Sequence, residues 1–387
     1  MIKKRKICVV TGARAEYGLL SSLMELIKND KDTDLQTLVT GAHLSHEFGL
    51  TYREIDQDGF KIDKKIEMIL SADTPSSIIK STGVGMIGFA DALKDLKPDI
   101  LVLLGDRYEL MSASFAALIL KIPVAHIHGG EVTEGAFDDS IRHSISKMSW
   151  WHFTACEEYK KRLVQLGENP KKIFNVGGLG VDKIKNSKLL SKSELAKQTG
   201  IKFKNKNLLI TFHPVTLENE SAKYQVRSLM DALDRYKDTL LIFTMPNADS
   251  NGREIFEIIN NFVSENNHRA ISFTSMGSLL YLSTLQFVDG VIGNSSSGLL
   301  EAPTFKIGTV NIGDRQKGRI KANSIIDCKP TKESINAAIK TLYSNAFRKE
   351  LKQATNPYGN GNAAEKIFKT LKNEPIPKNL KKEFFDI

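Results

Sequence analysis

Short apolar runs rich in β-branched residues recur along the whole chain, and most are followed by a stretch with the apolar period of a helix. This alternation constrains the fold more than any other feature. Continuous apolar strands joined through helices pair side by side in a parallel sheet covered on both faces. In the first half the runs predict strands at Lys6–Val10, Leu35–Thr40, Asp99–Leu104, Ile122–Ile127, Trp151–Ala155 and Ile173–Val176. In the second half they predict strands at Asn207–Thr211, Leu240–Thr244, Ile271–Phe273, Gly290–Ile292 and Gly308–Ile312. Helices are expected at Leu19–Lys28, Ala222–Tyr236, Arg253–Glu265 and Ser334–Ser344. The fold class expected is α/β, with two doubly wound Rossmann-like domains and a polar, Lys- and Ser-rich link near Val181–Phe203.

Open parallel sheets bind ligands beyond the carboxyl ends of their strands, and here those ends carry the unusual residues. The first exit reads Thr11-Gly-Ala-Arg14-Ala-Glu16-Tyr-Gly18, the second Thr40-Gly-Ala-His43, the third Gly105-Asp106-Arg107-Tyr-Glu109. The fourth opens the densest segment, Ile122–His143, with three histidines (His126, His128, His143), four acids (Glu131, Glu134, Asp138, Asp139) and Arg142. Such a density beside a core requires pairing or function; the alternative is a solvated loop with core histidines bonded to backbone carbonyls. The second half repeats the pattern at Phe212-His213-Pro214-Val-Thr216, at Gly293-Asn-Ser-Ser-Ser-Gly-Leu-Leu-Glu301 and at Gly313-Asp-Arg315-Gln316-Lys-Gly-Arg319. Glycine with charged or hydroxyl residues at exits in both halves argues for a cleft between two facing domains.

Composition removes several classes. No apolar run reaches the ~18–20 residues that span a bilayer, and the short apolar stretch after Lys3–Lys6 runs into a Gly-rich turn rather than a cleavage site. Cys8, Cys156 and Cys328 are far apart and form no CxxC pattern, so a reducing, cytoplasmic compartment is expected. The net charge of +9 permits an anionic partner, but the excess is spread over surface-like stretches without interleaved aromatics, which speaks against nucleic acid.

The motifs allow specific chemistry. Ser295 and Ser296, at a strand-to-helix turn between glycines, present hydroxyls and N–H groups suited to a phosphate; a plain helix cap is the alternative. Glu301 lies one turn on, suited to ribose hydroxyls or to the helix dipole. Arg14 and Arg315 could clamp a diphosphate, though single arginines at turns are usually solvated. Asp106 is an acid–base candidate or a helix cap, and His213, before a proline, is a substrate contact or a core histidine. Thr11-Gly-Ala-Arg14 is not GxGxxG, no HExxH or CxxC site is present, and no GxSxG elbow occurs.

Taken together, TGARAEYG, TGAHLSHEFG, GDRYE, HIHGGE, DDSIRHSISK, FHPVT, GNSSSGLLEAP and GDRQKGR, in this order over residues 7 to about 320, resemble the sugar-nucleotide 2-epimerases, above all the hydrolysing branch that acts on UDP-N-acetylglucosamine for bacterial sialic acid synthesis. The resemblance implies a glycosyltransferase-B-like fold with an interdomain cleft. Residues 1–185 would form the sugar-side domain, joined by a C-terminal helix within 361–387 (candidate Asn362–Lys372), and residues 186–360 the UDP-binding domain. It implies that the C2 proton is removed as UDP leaves C1, giving a 2-acetamidoglucal, and that water then adds with inversion at C2, without metal or nicotinamide. By position, Asp106, Asp138 and His213 match catalytic groups. Ser295, Ser296, Arg14 and Arg315 match diphosphate contacts, Glu301 a ribose contact and, loosely, Tyr281 an aromatic against uracil. Arg107, His126, Arg142 and Gln316 complete the expected substrate contacts. Many members read HIEGG, so the second acid–base group lies open between His128 and Glu131. The partner expected is a UDP-sugar, neither nucleic acid nor membrane, and the resemblance suggests a homodimer or homotetramer. Rival readings are the same chemistry on a UDP-2,4-diacetamido-6-deoxy sugar of legionaminic acid synthesis, a UDP-sugar glycosyltransferase, and a non-catalytic nucleotide-sugar sensor.

Overall fold

A computed structural model describes residues 4–70, 74–132, 138–213, 221–245, 252–274 and 276–387. Glu134, Pro214 and Thr216, within motifs named above, lie outside the described residues. The chain divides into two compact units, residues 1–183 with 361–387, and residues 184–360.

The first unit is built on a seven-stranded parallel sheet. Its strands are β1 (Arg5–Thr11), β2 (Thr33–Thr40), β3 (Lys64–Ile66), β4 (Ile100–Leu104), β5 (Val124–Ile127), β6 (Trp151–Thr154) and β7 (Ile173–Asn175), in the order β3-β2-β1-β4-β5-β6-β7. The second unit has β8 (Lys206–Thr211), β9 (Thr239–Thr244), β10 (Ala270–Phe273), β11 (Gly290–Gly293), β12 (Gly308–Ile312) and β13 (Ile325–Cys328), ordered β10-β9-β8-β11-β12-β13 and again parallel. Strand order reverses between β1 and β4 in one sheet and between β8 and β11 in the other. These are the switch points beyond whose carboxyl ends such sheets hold ligands.

Side-chain periodicity explains both cores. β4, β5 and β6 are buried on every residue, as strands covered by helices on both faces must be. One face of the first sheet packs Ile7, Val9, Val102 and Phe153 against Leu20, Leu23 and Ile27. The other packs Cys8, Val10, Leu101 and Leu103 against Phe89, Leu93 and Ala113. The C-terminal helix, Ala363–Asn373, joins the first core through Ile367 and Leu371. Its first turn is fixed by Asp182, whose carboxylate accepts from the amides of Ala363 and Ala364 at 2.9 and 2.6 Å, satisfying two of the donors a helix start leaves open.

The strand readings differ from the structure at the edges. β3 and β13 were not expected. Their sequences, KKI and IIDC, are short and interrupted by charged residues, so they carry no continuous apolar run. Pro123 lacks an N–H and stands just before β5, giving only its carbonyl, to Leu101 at 3.0 Å. The helix expected from Leu19 starts at Arg14, so Arg14 lies in a helical first turn rather than in a turn after β1. The polar stretch expected to be a link is largely helical, at Leu179–Asn186 and Lys192–Thr199. Ser191 and Glu194 form a reciprocal capping box there, a signal that the S-x-x-E spacing carries and that composition alone hides.

Candidate active site

In the first unit, the exits of β4 and β5 and the helix Asp138–Met148 converge on Arg142. This arginine is 5% exposed and stands one helical turn after Asp138, on the same face. Its Nη2 is paired with Asp106, at the exit of β4. Its Nη1 lies 3.3 Å from the carbonyl of His128 and 3.4 Å from Glu131, both at the exit of β5. A guanidinium offers this fork of donors where an ammonium would not. Three exit groups are thereby tied together by one side chain.

His128 adopts φ +64, in the left-handed region, although it is not glycine. Such a backbone costs on the order of 1–3 kcal/mol and persists where the surroundings impose it. Here its amide donates to Phe153 at 2.8 Å and its carbonyl is held by Arg142. Its Nδ1 stands 3.5 Å from Glu131 Oε1, and its Nε2 is buried without a hydrogen-bond partner. The two candidates for the second acid–base group are therefore neighbours, and Glu131 also contacts Arg142. Asp138, at the start of the helix, has its carboxyl pushed above the usual range, first by burial and then by the charge of Asp106.

His126 is fully buried. Its Nε2 donates to the Gly105 carbonyl at 2.7 Å, and its Nδ1 is 3.0 Å from the Ser146 hydroxyl. Burial pulls its pKa down to about 3, so it is neutral and offers no surface to a ligand. It ties the turn before Asp106 to the helix that carries Asp138. This is the core-histidine alternative rather than the contact expected. His43 is likewise a tie, bonded to Thr11 and Thr51 at 3.0 and 2.8 Å, with its pKa lowered to about 4 by burial.

Arg107 is gripped by two acids that the sequence reading left out. Its Nε and Nη2 donate to Glu109 Oε1 at 3.1 and 2.7 Å, and Glu16 Oε1 lies 3.8 Å from Nε. Glu109 is fully buried and Glu16 nearly so. Glu16 also accepts from the Gly12 amide at 2.7 Å, and burial raises its pKa to about 7. Both acids sit in the first turn of a helix just after a strand exit, which from sequence reads as a dipole partner. Gly41 packs on them: a Cβ there, at φ +60, would stand 2.7 Å from Glu109 Oε1. Arg14 is exposed and paired with Glu54 at 3.0 Å.

The second unit ties its exits with Asn294, which is fully buried. Its side chain accepts from the His213 amide at 2.7 Å and donates to the His213 carbonyl at 2.8 Å, joining the exits of β8 and β11. Its own carbonyl accepts from Arg315 at 3.0 Å and Gln316 at 2.8 Å, from the exit of β12. Gly293, at φ +137, allows this approach; a Cβ there would meet the Thr211 carbonyl at 1.9 Å. Arg315 is exposed, while Gln316 is buried and turned inward. The Tyr281 hydroxyl is 2.7 Å from Ser297, which donates to Glu301 at 2.5 Å. Ser297, the third serine, is thus the link between two predicted contacts. Ser295 and Ser296 are half-buried beside it, and the Ser297 amide lies 3.4 Å from the Ser295 hydroxyl. The helix they lead into, Ser297–Leu300, is a single turn, so any grip on an anion there rests on these local groups rather than on a long dipole. Among the described residues no group of His, Cys, Asp and Glu is arranged to hold a metal.

Residues 25–372 match the family model described as UDP-N-acetylglucosamine 2-epimerase. The chain belongs to this family. It is 48% identical, over the full length of both chains, to the GDP/UDP-N,N'-diacetylbacillosamine 2-epimerase (hydrolyzing) of Campylobacter jejuni. It is 38% identical to polysialic acid biosynthesis protein P7 of Escherichia coli, over 99% of this chain and 98% of that one. Among solved structures, the UDP-GlcNAc 2-epimerase of Neisseria meningitidis bound to UDP-GlcNAc superposes with a TM-score of 0.76 at 21% identity, over 95% of this chain and 99% of that one. That likeness shows the glycosyltransferase-B-like fold of two parallel-sheet α/β domains. No helix among the described residues is long and apolar enough to cross a membrane.

Proposed function

We propose that the protein is a hydrolysing 2-epimerase of a UDP-2,4-diacetamido-6-deoxy sugar, N,N'-diacetylbacillosamine. It would convert this substrate and water to UDP and the free sugar inverted at C2. The observation that carries the sugar assignment is the 48% identity, without truncation on either side, to a relative named for that sugar. UDP-N-acetylglucosamine, the substrate expected from the motifs, becomes the second reading; the 38% identity to a polysialic acid biosynthesis protein favours it.

The chemistry follows from the acids of the first unit. The bond from C1 to the diphosphate breaks as a base takes the C2 proton, leaving a C1=C2 double bond and free UDP. Water then gives its oxygen to C1 while a proton is delivered to C2 on the opposite face. Asp138 fits the base, because burial and Asp106 make its carboxylate more basic than usual. His128 and Glu131, 3.5 Å apart, fit the second proton carrier as a neighbouring pair. Arg142 holds Asp106 and Glu131 without taking a proton. From the second unit, Arg315, Ser295, Ser296 and Glu301 would grip the nucleoside diphosphate, and His213 would face it.

The test is turnover in deuterated water, followed by proton NMR, on the UDP-linked diacetamido sugar and on UDP-N-acetylglucosamine. Release of UDP with deuterium at C2 of the free epimer, and a higher kcat/KM on the diacetamido sugar, is the expected result. An equal or higher kcat/KM on UDP-N-acetylglucosamine overturns the sugar assignment; nucleotide release without C2 exchange overturns the epimerase. The GDP-linked sugar in the same assay decides the base, since the Campylobacter relative carries both nucleotides in its name.

A further inference from the structure

A hollow of about 430 Å³ lies in the first unit beside the acid cluster, lined by Phe48, Ile69, Leu70, Ile78, Arg107 and Tyr108 among others. Its apolar wall is unusual for an exit region otherwise filled with charge. Phe48 is 57% and Leu70 41% exposed, large apolar side chains left partly uncovered among the described residues. Ser77 lines the same hollow. It is 5% exposed, and its hydroxyl has no hydrogen-bond partner. A buried hydroxyl without a partner is costly unless a ligand supplies one.

The hollow is joined to the chemistry through Arg107. This residue forms part of its wall, follows Asp106 directly in the chain, and is among the charges that act on Asp138. On the reaction proposed above, a group entering the hollow would belong to a sugar whose reacting carbons face Asp106 and Asp138. It needs an apolar end and one acceptor for a hydroxyl. A hydroxyl substituent has no apolar end, and a methyl group has no acceptor. An acetamido group has both.

We propose that this hollow receives the C4 acetamido group of the substrate, with the Ser77 hydroxyl donating to its carbonyl oxygen and Phe48, Ile69, Leu70 and Ile78 covering its methyl group. The inference rests on the diacetamido sugar proposed above and names the residues that select it over N-acetylglucosamine, which carries only a hydroxyl at C4. Phe48 and Ser77 are specificity residues rather than catalytic ones, because the group they bind does not react.

The experiment compares kcat/KM on the two UDP-sugars for the wild type, Phe48→Ala and Ser77→Ala. Phe48 is largely exposed and alanine is well tolerated in a helical first turn, so both variants should keep the tryptophan emission of the wild type. On the diacetamido sugar each should lose about 10-fold or more, the size of effect that a missing pocket contact produces. On UDP-N-acetylglucosamine each should change less than about twofold, since that substrate leaves the hollow empty. Equal losses on both substrates, or no loss on either, overturn the assignment of the hollow while leaving the wild-type preference intact. A wild type with no preference for the diacetamido sugar overturns the substrate reading itself, and the hollow's role with it.

Discussion

Glu16 gives the sharpest quantitative prediction. Its carboxyl is 6% exposed and its pKa is raised from 4.5 to about 7, chiefly by burial, with Glu109 adding to the rise and Gly12 and Arg107 opposing it. The folded protein therefore keeps a proton to higher pH than the unfolded chain does. Stability due to this group is complete below pH 4.5 and is lost as the pH rises through about 7. For a single group with these two values the loss is about 1 kcal/mol at pH 5 and about 3 kcal/mol at pH 8. Glu16→Gln keeps an acceptor for the Gly12 amide and carries no charge to bury. Relative to the variant, the wild type should thus weaken by about 2–3 kcal/mol between pH 5 and pH 8.

The protein provides its own reporter. The two tryptophans of the chain, Trp150 and Trp151, both belong to the first unit, and Trp151 is buried on β6. Urea unfolding followed by tryptophan emission at pH 5, 6.5 and 8 reads that unit directly. Titrating groups away from Glu16 are common to both proteins and cancel in the difference. A wild-type-minus-variant difference that stays constant with pH would refute the buried-carboxyl reasoning.

Four further outcomes follow from the site. Asp138→Asn should bind UDP as the wild type does, by calorimetry, while kcat falls at least about 10³-fold, because it removes a group that acts in the transition state; unchanged kcat would exclude Asp138 from the mechanism. In the wild type, the acidic limb of the kcat/KM profile should lie above the ordinary carboxylate range, since the carboxyl of Asp138 is held protonated longer by burial and by Asp106. His128→Asn and Glu131→Gln should each lower kcat, and the double variant should lose little more than the worse single one, as groups acting as a unit do; full additivity would mean separate roles. Asn294→Ala strips two partners from the backbone of His213 and should destabilise the protein by about 2–4 kcal/mol, seen as a lower midpoint by circular dichroism.

How much of this was legible in the sequence depended on which interactions are local. Interior strands announce themselves because burial on both faces demands an unbroken apolar run; β3 and β13, short and interrupted by lysine or aspartate, do not. The same burial hides direction. On β5 every residue is inside, so alternation cannot tell that His126 points into the core while His128, one step past the strand, adopts φ +64 and turns to Glu131. The strand exits marked the site, but the residues that hold it together were missed, since each acts on a partner that only folding brings near. Glu16 and Glu109 serve Arg107, and Asn294 serves His213, which lies 81 positions earlier. In each case the visible motif contained the residue, but nothing in its spacing named the distant partner it would bind.

The two units solve one problem in two ways. At a switch point the chain leaves neighbouring strands in opposite directions, so the exits diverge and need a separate tie to present groups to one ligand. In the first unit the exits carry acids, and a tie between acids must be a cation. Arg142, buried, contacts Asp106, Glu131 and the His128 carbonyl at once. In the second unit, where an anionic diphosphate is proposed to bind, a carboxylate tie would repel the ligand. A neutral amide that both donates and accepts, Asn294, joins the exits there instead. On the proposed reaction the choice of tie follows the charge each unit would handle: a cation among acids in one sheet, a neutral amide where an anion would bind in the other.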